Sequence, residues 1–429
     1  MPPCANPPPD MADFYEFFAG GGMVRAGLGA GWTCRFANDF DAMKALSYQA
    51  NWGTGGELFV GDVASVEASA LPGHADLMWG SFPCQDLSLA GAGKGLAGHR
   101  SGAFHAFWRV VQGLAAEDRA PAVVAIENVC GALTSNDGRD FAVLMQTFAE
   151  GGYRPGALVI DAELFTPQSR PRLFVIGVHD SVALPSDLTL PAPPDHFCFR
   201  SNRPESKKWS RLKKERNLSR AGLASSSTDF VPSPFHSRAV VKAVEALPAA
   251  VRDRTVWWSL PLPPRRACVF ADLVETAPND VAWHDPTDTD RLLELMSPLN
   301  RAKVDQARRA GRRMVGTIYR RTRTENGQKV QRAEVRFDDI AGCLRTPGGG
   351  SSRQILLVVE GERIRSRLIS PRETARLMGL ADSYVLPRSY SAACHLTGDG
   401  VVAPVVRHLA RHLFEPITAM TASALRQAV

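Results

Sequence analysis

The 429-residue sequence has no Cys-x-x-Cys pair; its eight cysteines stand apart at 4, 34, 84, 130, 198, 268, 343 and 394. Zinc ribbons, thioredoxin-like redox sites and disulfide frameworks need thiols at short paired spacing, so none of these is indicated and no metal site is expected. His196 and Cys198 stand close together, but no second pair lies nearby to complete a tetrahedral set. No apolar run approaches the roughly 20 residues that a spanning helix needs, so no membrane partner is expected. The proline-rich start, residues 1–11, lacks the basic start and apolar core of a secretory signal. A disordered N-terminal tip on a cytoplasmic protein is expected. Neither G-x-G-x-x-G nor G-x-x-x-x-G-K-[ST] occurs, which leaves dinucleotide and ATP phosphate sites poorly supported. Internal repeats are lacking too.

Charge, by contrast, is present and segregated. The net charge is only +6, yet residues 181–345 hold 29 Lys+Arg against 19 Asp+Glu, and the remainder 21 against 25. One internal block is therefore basic while the rest is slightly acidic, which suggests a polyanion partner. The block contains Trp209, Trp257, Trp258 and Tyr319 among its arginines, a composition suited to phosphate contacts with some stacking; Trp257-Trp258 reads equally well as local core.

Residues 80–85, Gly-Ser-Phe-Pro-Cys-Gln, organise the N-terminal half. They follow an apolar run, 75–79, that reads as a buried strand, and precede a small-residue, turn-prone stretch at 88–102. A cysteine at a strand exit, held by a proline and followed by a loop, is where a nucleophile would be mounted.

Around it the pattern is strand, turn and helix in alternation. An aromatic strand at 13–18 runs into Ala19-Gly20-Gly21-Gly22 and then a helix at 23–30, which resembles the nucleotide-binding entry of a doubly wound sheet. A second strand, 33–37, ends at Asn38-Asp39. Asp39 is placed either to bond ribose hydroxyls or to cap the helix after Asp41, and both readings stand. Asp62 is a third strand-end acid, suited to accept from an adenine amine. Such a set favours a nucleoside ligand without a phosphate requirement, as in S-adenosylmethionine. The apolar strand 123–126 delivers Glu127-Asn128-Val129, and a carboxylate at such a mouth is costly unless bonded or used. Arg170 and Arg172 flank the start of another strand, 173–178, where guanidinium groups clamp an anion or a carbonyl. Residues 185–345 read as a small irregular domain. Regular structure returns with a strand at 355–359, a capped helix at 370–378 and a last helix at 402–414.

These residues together resemble the cytosine-5 DNA methyltransferases of bacteria, over most of the chain outside 185–340. Phe18-Ala19-Gly20-Gly21-Gly22 is similar to the cofactor glycine loop, with Phe18 placed to stack on the adenine, Asp39 to the acid that holds the ribose, Asp62 to the one that contacts the adenine amine, and Pro83-Cys84-Gln85 to the nucleophile motif. Residues 85–102, with Gln85, Ser88 and Arg100, resemble the loop that closes over the target base. Glu127-Asn128-Val129, Gln168-x-Arg170-x-Arg172 and residues 370–379 follow in the family's order. Asp399-Gly400-Val401 stands where the family usually has Asn-Ser-Val. The substitution puts a carboxylate near the cofactor's charged end, either attracting the sulfonium or disturbing the loop. Cys343-Leu344 falls roughly where a Thr-Leu pair is common.

The resemblance implies a doubly wound α/β mixed sheet of the S-adenosylmethionine-dependent methyltransferase type. It divides the chain into a catalytic domain at 12–184, a smaller target-recognition domain at 185–345 and a C-terminal return at 346–429. It implies that Cys84 attacks carbon 6 of a flipped cytosine, that Glu127 acts protonated at ring nitrogen 3, and that Arg172, supported by Arg170, holds the base carbonyl. Phe18, Ala19, Gly20, Gly22, Asp39, Phe40, Asp62, Val63, Pro83, Asp399 and Val401 would hold S-adenosyl-L-methionine. Double-stranded DNA is the expected partner for a monomer associated with the bacterial nucleoid, with a cognate restriction endonuclease acting separately. The alternatives are a transfer-RNA methyltransferase on the same motifs and a catalytically weak DNA-binding regulator.

Overall fold

A computed structural model describes residues 11–82, 102–191, 234–325, 327–346 and 353–428. Seven strands form the main sheet: β1 Ala12–Phe17, β2 Trp32–Asp39, β3 Leu58–Val60, β4 Leu77–Gly80, β5 Val123–Val129, β6 Tyr153–Asp161 and β7 Pro171–His179. Their order is β3-β2-β1-β4-β5-β7-β6. The first five are parallel, whereas β7 runs antiparallel to β5 and to β6. The sheet is mixed, and its order reverses between β1 and β4, the crevice where open α/β sheets place their ligands.

Side chains alternate across this sheet with period two. Phe14, Leu77, Trp79, Val123, Ala125, Phe174 and Ile176 fill the core on one face. Tyr15, Phe17, Met78, Val124, Ile126, Leu173 and Val175 fill the core on the other. Both faces are covered, which is why the central strands read as unbroken apolar runs. On the first face lie α1 (Met23–Leu28), α2 (Ala42–Trp52) and the C-terminal helices. On the second lie α3 (Gly102–Ala116) and α4 (Arg139–Glu150). The chain's end returns to its beginning: a Cβ added at Gly27 in α1 would stand 2.5 Å from the Val406 Cβ in the Ala403–Leu409 helix. Among the described residues no helix is long and apolar enough to cross a membrane.

The basic block is more regular than its composition suggests. Helices occupy Arg238–Glu245, Pro286–Glu294 and Pro298–Arg308. A long hairpin, β8 (Met314–Glu325) and β9 (Gln328–Arg336), joins β10 (Ile355–Glu360) and β11 (Arg363–Leu368) in an antiparallel sheet ordered β11-β10-β8-β9. β8 and β9 carry arginines toward the tip of the hairpin, and the charges pair between strands, Arg321 with Glu334 and Arg332 with Glu325. Cross-strand pairs of this kind support a hairpin whose composition reads as loop. The strands on either side of residue 345 thus share one sheet.

That sheet is tied to the side of the main sheet by a buried ion pair. Arg367 of β11 and Glu373 in the Pro371–Leu377 helix are both 0% exposed, and Arg367 Nη1 donates to Glu373 Oε2 at 2.8 Å. Glu373 also completes the capping box with Ser370: the Ser370 N–H donates to Glu373 Oε2 at 2.7 Å and the Glu373 N–H to Ser370 Oγ at 3.1 Å.

Candidate functional site

The chain turns from β1 into α1 through residues 18–22. Phe18 sits at φ 59, Gly20 at φ 56 and Gly22 at φ 76, so the turn is left-handed at three points. Gly22 has a second reason to be glycine: a Cβ there would lie 2.2 Å from Trp52 Nε1. The turn is held from outside by two side chains that sequence reading missed. Trp52 Nε1 donates to the Gly21 carbonyl at 2.9 Å and the Tyr384 hydroxyl to the same carbonyl at 2.7 Å. Neither residue falls in a motif, and Tyr384 is 363 positions from its partner.

Asp39 closes β2 beside this turn and is 5% exposed. Its Oδ2 accepts from the Gly20 N–H at 2.7 Å and its Oδ1 from the Asp41 N–H at 2.8 Å. The helix-capping role falls to Asp41, which accepts from the Met43 and Lys44 N–H groups. Asp39 thus fixes the glycine turn to β2, and burial raises its carboxyl above the usual range. Phe40 follows with its ring 68% exposed, next in chain to Asp39. Asp62 is exposed and caps the short turn that follows β3, accepting from the Ala64 N–H at 2.9 Å. Val63 is buried in the core, so its side chain is committed to packing.

The described donors and acceptors fit the expected nucleoside cofactor. A Cβ at Gly20 would meet nothing nearer than Lys44 Cδ at 4.0 Å, leaving open space over the turn. Beside it Asp39 accepts from the Gly20 N–H, and Asp399 meets the Lys44 side chain that borders it. Asp399 ends the Tyr390–Asp399 helix, and its Oδ2 is 2.7 Å from Lys44 Nζ on α2. Val401 is buried in the core beneath.

At the ends of β4 and β5 the second half of the site assembles. β4 pairs β1 with Gly80 opposite Phe17, and the Ser81 N–H donates to the Phe17 carbonyl at 3.3 Å. The segment that follows β4 therefore leaves the sheet beside the glycine turn. Pro83, Cys84, Gln85, Ser88 and Arg100 lie outside the described residues. So do the arginines of 200–220 and Trp209.

Glu127 lies at the exit of β5, 6% exposed, on the sheet face shared with Trp79 and Phe174. Arg172 is diagonal to it across the antiparallel β5–β7 pair, since Val129 faces Arg172 and Glu127 faces Phe174. The Arg172 Nε lies 2.9 Å from Glu127 Oε1. Burial dominates at Glu127 and raises its carboxyl above the usual range, although Arg172 and Arg170 pull it down. A carboxyl whose hold on its proton is strengthened by burial, set against a guanidinium, is suited to donate.

Arg170, expected as support for Arg172, meets backbone in this structure. It is 2% exposed, and its guanidinium is spent on backbone: Nη1 donates to the Leu344 carbonyl at 3.0 Å, Nη2 to Gly398 at 2.9 Å and Gly400 at 2.8 Å. Three carbonyls leave no fork free for a substrate, so Arg170 is a positioning residue that pins the 343–345 and 398–400 segments to β7. Gln168, fully buried, helps by donating to the Leu377 carbonyl at 3.0 Å and accepting from the Leu344 N–H at 3.2 Å. Cys343 lies against both arginines, 3.5 Å from Arg170 Nη1 and 4.0 Å from Arg172 Nη1. Burial alone would push its thiol up, but the two guanidinium groups outweigh it and hold the thiol below the usual range.

The basic block presents less free charge than its count suggests. Arg308 pairs with Glu362, Arg321 and Arg323 with Glu334, Arg332 with Glu325, and Arg336 with Asp338. Of its aromatic residues, Trp258 is fully buried, and the Tyr319 hydroxyl donates to the Cys343 carbonyl at 2.8 Å.

Comparison with known proteins agrees with this geometry. The model of the C-5 cytosine-specific DNA methylase family matches residues 12–415. The type II methyltransferase M.BsuFI of Bacillus subtilis is 31% identical over 180 residues, a match spanning 42% of this chain and 42% of that protein. The type II methyltransferase M.HpaII of Haemophilus parainfluenzae is 22% identical over 422 residues, spanning 94% of this chain and 89% of that one. The crystal structure of the S. pombe Dnmt2 methyltransferase shares the fold at 15% identity, with a TM-score of 0.53 over 94% of this chain and 99% of that chain. The sheet order, the glycine turn and a family match over nearly its whole length lead to one conclusion: the chain belongs to the C-5 cytosine-specific DNA methylase family.

Proposed function

We propose that the protein transfers a methyl group from S-adenosylmethionine to carbon 5 of a cytosine flipped out of duplex DNA. The observation that carries this reading is the Glu127–Arg172 pair, 2.9 Å apart at the end of β5, beside β4, the strand that precedes Cys84 in the sequence.

Carbon 5 of cytosine is too poor a nucleophile to be methylated directly. Addition of the Cys84 thiolate to carbon 6 breaks the ring's aromaticity and gives carbon 5 the character of an enamine. Glu127, whose carboxyl burial pushes up, passes a proton to ring nitrogen 3 as negative charge develops there. Arg172 takes the glutamate that results as its counter-ion and holds the neighbouring carbonyl oxygen with its remaining N–H groups. The bound cofactor supplies an electrophilic methyl group on a sulfonium. Asp39 and the glycine turn, with Phe40 and Asp62, would hold its nucleoside end. Loss of the carbon 5 proton to water then releases the thiolate, and the nitrogen 3 proton returns to Glu127, leaving neutral 5-methylcytosine. Stacked bases are shielded on both faces, so the target must swing out at a cost of a few kcal/mol. The family resemblance assigns residues 85–102 the part of a loop that would cover the base and exclude water.

The basic block and its hairpin read the duplex, with phosphate contacts giving steep salt dependence. One pocket serves one base, so the chain acts as a monomer in the cytoplasm, at the nucleoid. The similarity to type II methyltransferases supports a role beside a restriction endonuclease that acts separately. The test is incorporation of tritiated methyl groups into duplex DNA and into transfer RNA. Label in DNA at carbon 5 of cytosine is expected. Label confined to transfer RNA, or absent from both, would overturn the reading.

A further inference from the structure

Lys44, in the first turn of α2, reaches back over the glycine turn. Its Cδ is the nearest heavy atom to the place a Gly20 Cβ would take, at 4.0 Å. Its Nζ meets Asp399 Oδ2 at 2.7 Å, across 355 positions of sequence. The Lys44 side chain is 17% exposed and that of Asp399 is 46% exposed, so the pair lies at the lip of the open space over Gly20 rather than inside the protein. The other acids nearby are occupied. Asp39 accepts from two backbone N–H groups, and Asp41 caps α2 through the N–H groups of Met43 and Lys44. Among the described residues Asp399 is the ion-pair partner of Lys44.

An ammonium and a carboxylate meeting at a solvent-accessible lip contribute little to stability. The pair is therefore easily exchanged for a ligand that carries the same two charges. An α-amino acid zwitterion is such a ligand, with a carboxylate to match Lys44 and an ammonium to match Asp399. We propose that Lys44 and Asp399 together bind the amino-acid end of S-adenosylmethionine, Lys44 its carboxylate and Asp399 its ammonium. The assignment rests on the cofactor reading above and adds a residue, Lys44, that no motif marked. One contact in the free protein becomes two charge-assisted contacts in the complex, and no unpaired charge is left behind. It also accounts for the carboxylate at 399, where the family usually has an amide. Asp399 comes with a lysine that balances it, so it binds without leaving a net charge against the loop. Asp399, Asp39 and Asp41 together hold the Lys44 ammonium above its usual range against burial, which keeps it charged at any working pH.

The test is calorimetric titration of the full chain with three thioethers that differ only in the tail. S-Adenosylhomocysteine carries both charges, its decarboxylated analogue only the ammonium, and 5′-methylthioadenosine neither. Lys44→Met is expected to weaken S-adenosylhomocysteine about tenfold, the loss of one charged hydrogen bond, and to leave the other two ligands within about twofold. Lys44→Arg should restore most of that loss. Asp399→Asn should weaken the two amines and spare 5′-methylthioadenosine. Equal losses for all three ligands, or no loss for any, would overturn the assignment while leaving the cofactor reading intact. A wild-type chain that binds none of the three would overturn both.

Discussion

Replacing Glu16 by glutamine is expected to stabilise the protein progressively as the solution is made alkaline. Glu16 lies near the end of β1, 1% exposed, on the Phe14 face of the sheet and just before the glycine turn. Burial pushes its carboxyl up to about 8, although the backbone at Val24 and Arg25 and the Arg25 charge pull the other way. In the unfolded chain the same group titrates at 4.5. Between those two values the folded protein holds a proton that the unfolded chain has released. Stability therefore falls as pH rises through the window and is least above the folded value. The gap, 8 − 4.5 = 3.5, corresponds to about 5 kcal/mol before any relaxation around the ionised group. Glutamine keeps the shape and cannot ionise. The difference in unfolding free energy between Glu16→Gln and wild type should widen in favour of the variant from pH 4.5 to pH 8 and then level off. Urea unfolding at half-unit pH steps would measure it. Parallel stability curves across that range would mean that Glu16 ionises normally and that burial is not controlling it.

Further outcomes follow from the same geometry. Glu127→Gln should lower the methyl-transfer rate by about 10²–10⁴-fold and flatten the alkaline fall in rate, because the proton that burial retains is no longer there to give; pH–rate profiles of both forms would show it. Gly22→Ala must strain a left-handed position and displace Trp52, costing about 2–3 kcal/mol in all. Calorimetry with S-adenosylhomocysteine should register that as weaker binding, and unchanged affinity would refute the cradle. Arg367→Met should destabilise by about 3–5 kcal/mol by leaving Glu373 charged and unpaired at zero exposure. The double variant with Glu373→Gln should recover much of that loss in thermal unfolding.

The main sheet and the acids at its strand ends were legible in the sequence for a physical reason. Strands covered on both faces must be continuously apolar, so the glycine turn and Glu127 stand out where 13–18 and 123–126 stop. The capping box at 370–373 was equally plain, because the two side chains that make it are local. Elsewhere the information is spread along the chain. Trp52, Lys44 and Tyr384 act on residues up to 363 positions away, and nothing in their own neighbourhoods marks them. Arg170 reads as support for Arg172 at the base carbonyl because the two arginines flank the start of the same strand. Only the three carbonyls it meets, from residues 344, 398 and 400, assign it to holding the fold together. The hairpin at 314–336 was hidden by its own charge, since arginine-rich strands become strands by pairing with glutamates across the ladder.

The central claim is that Cys84 bonds to an extruded cytosine, and its most direct test is capture of that bond. A duplex carrying 5-fluorocytosine in the methylated sequence, incubated with the protein and S-adenosylmethionine, should give a denaturation-resistant adduct, because fluorine at carbon 5 blocks the proton loss that releases the thiolate. Mass spectrometry should locate the crosslink at Cys84, and Cys84→Ser should form none while still binding the duplex. An adduct that survives in Cys84→Ser, or none in wild-type protein that methylates the unmodified duplex, would contradict the account.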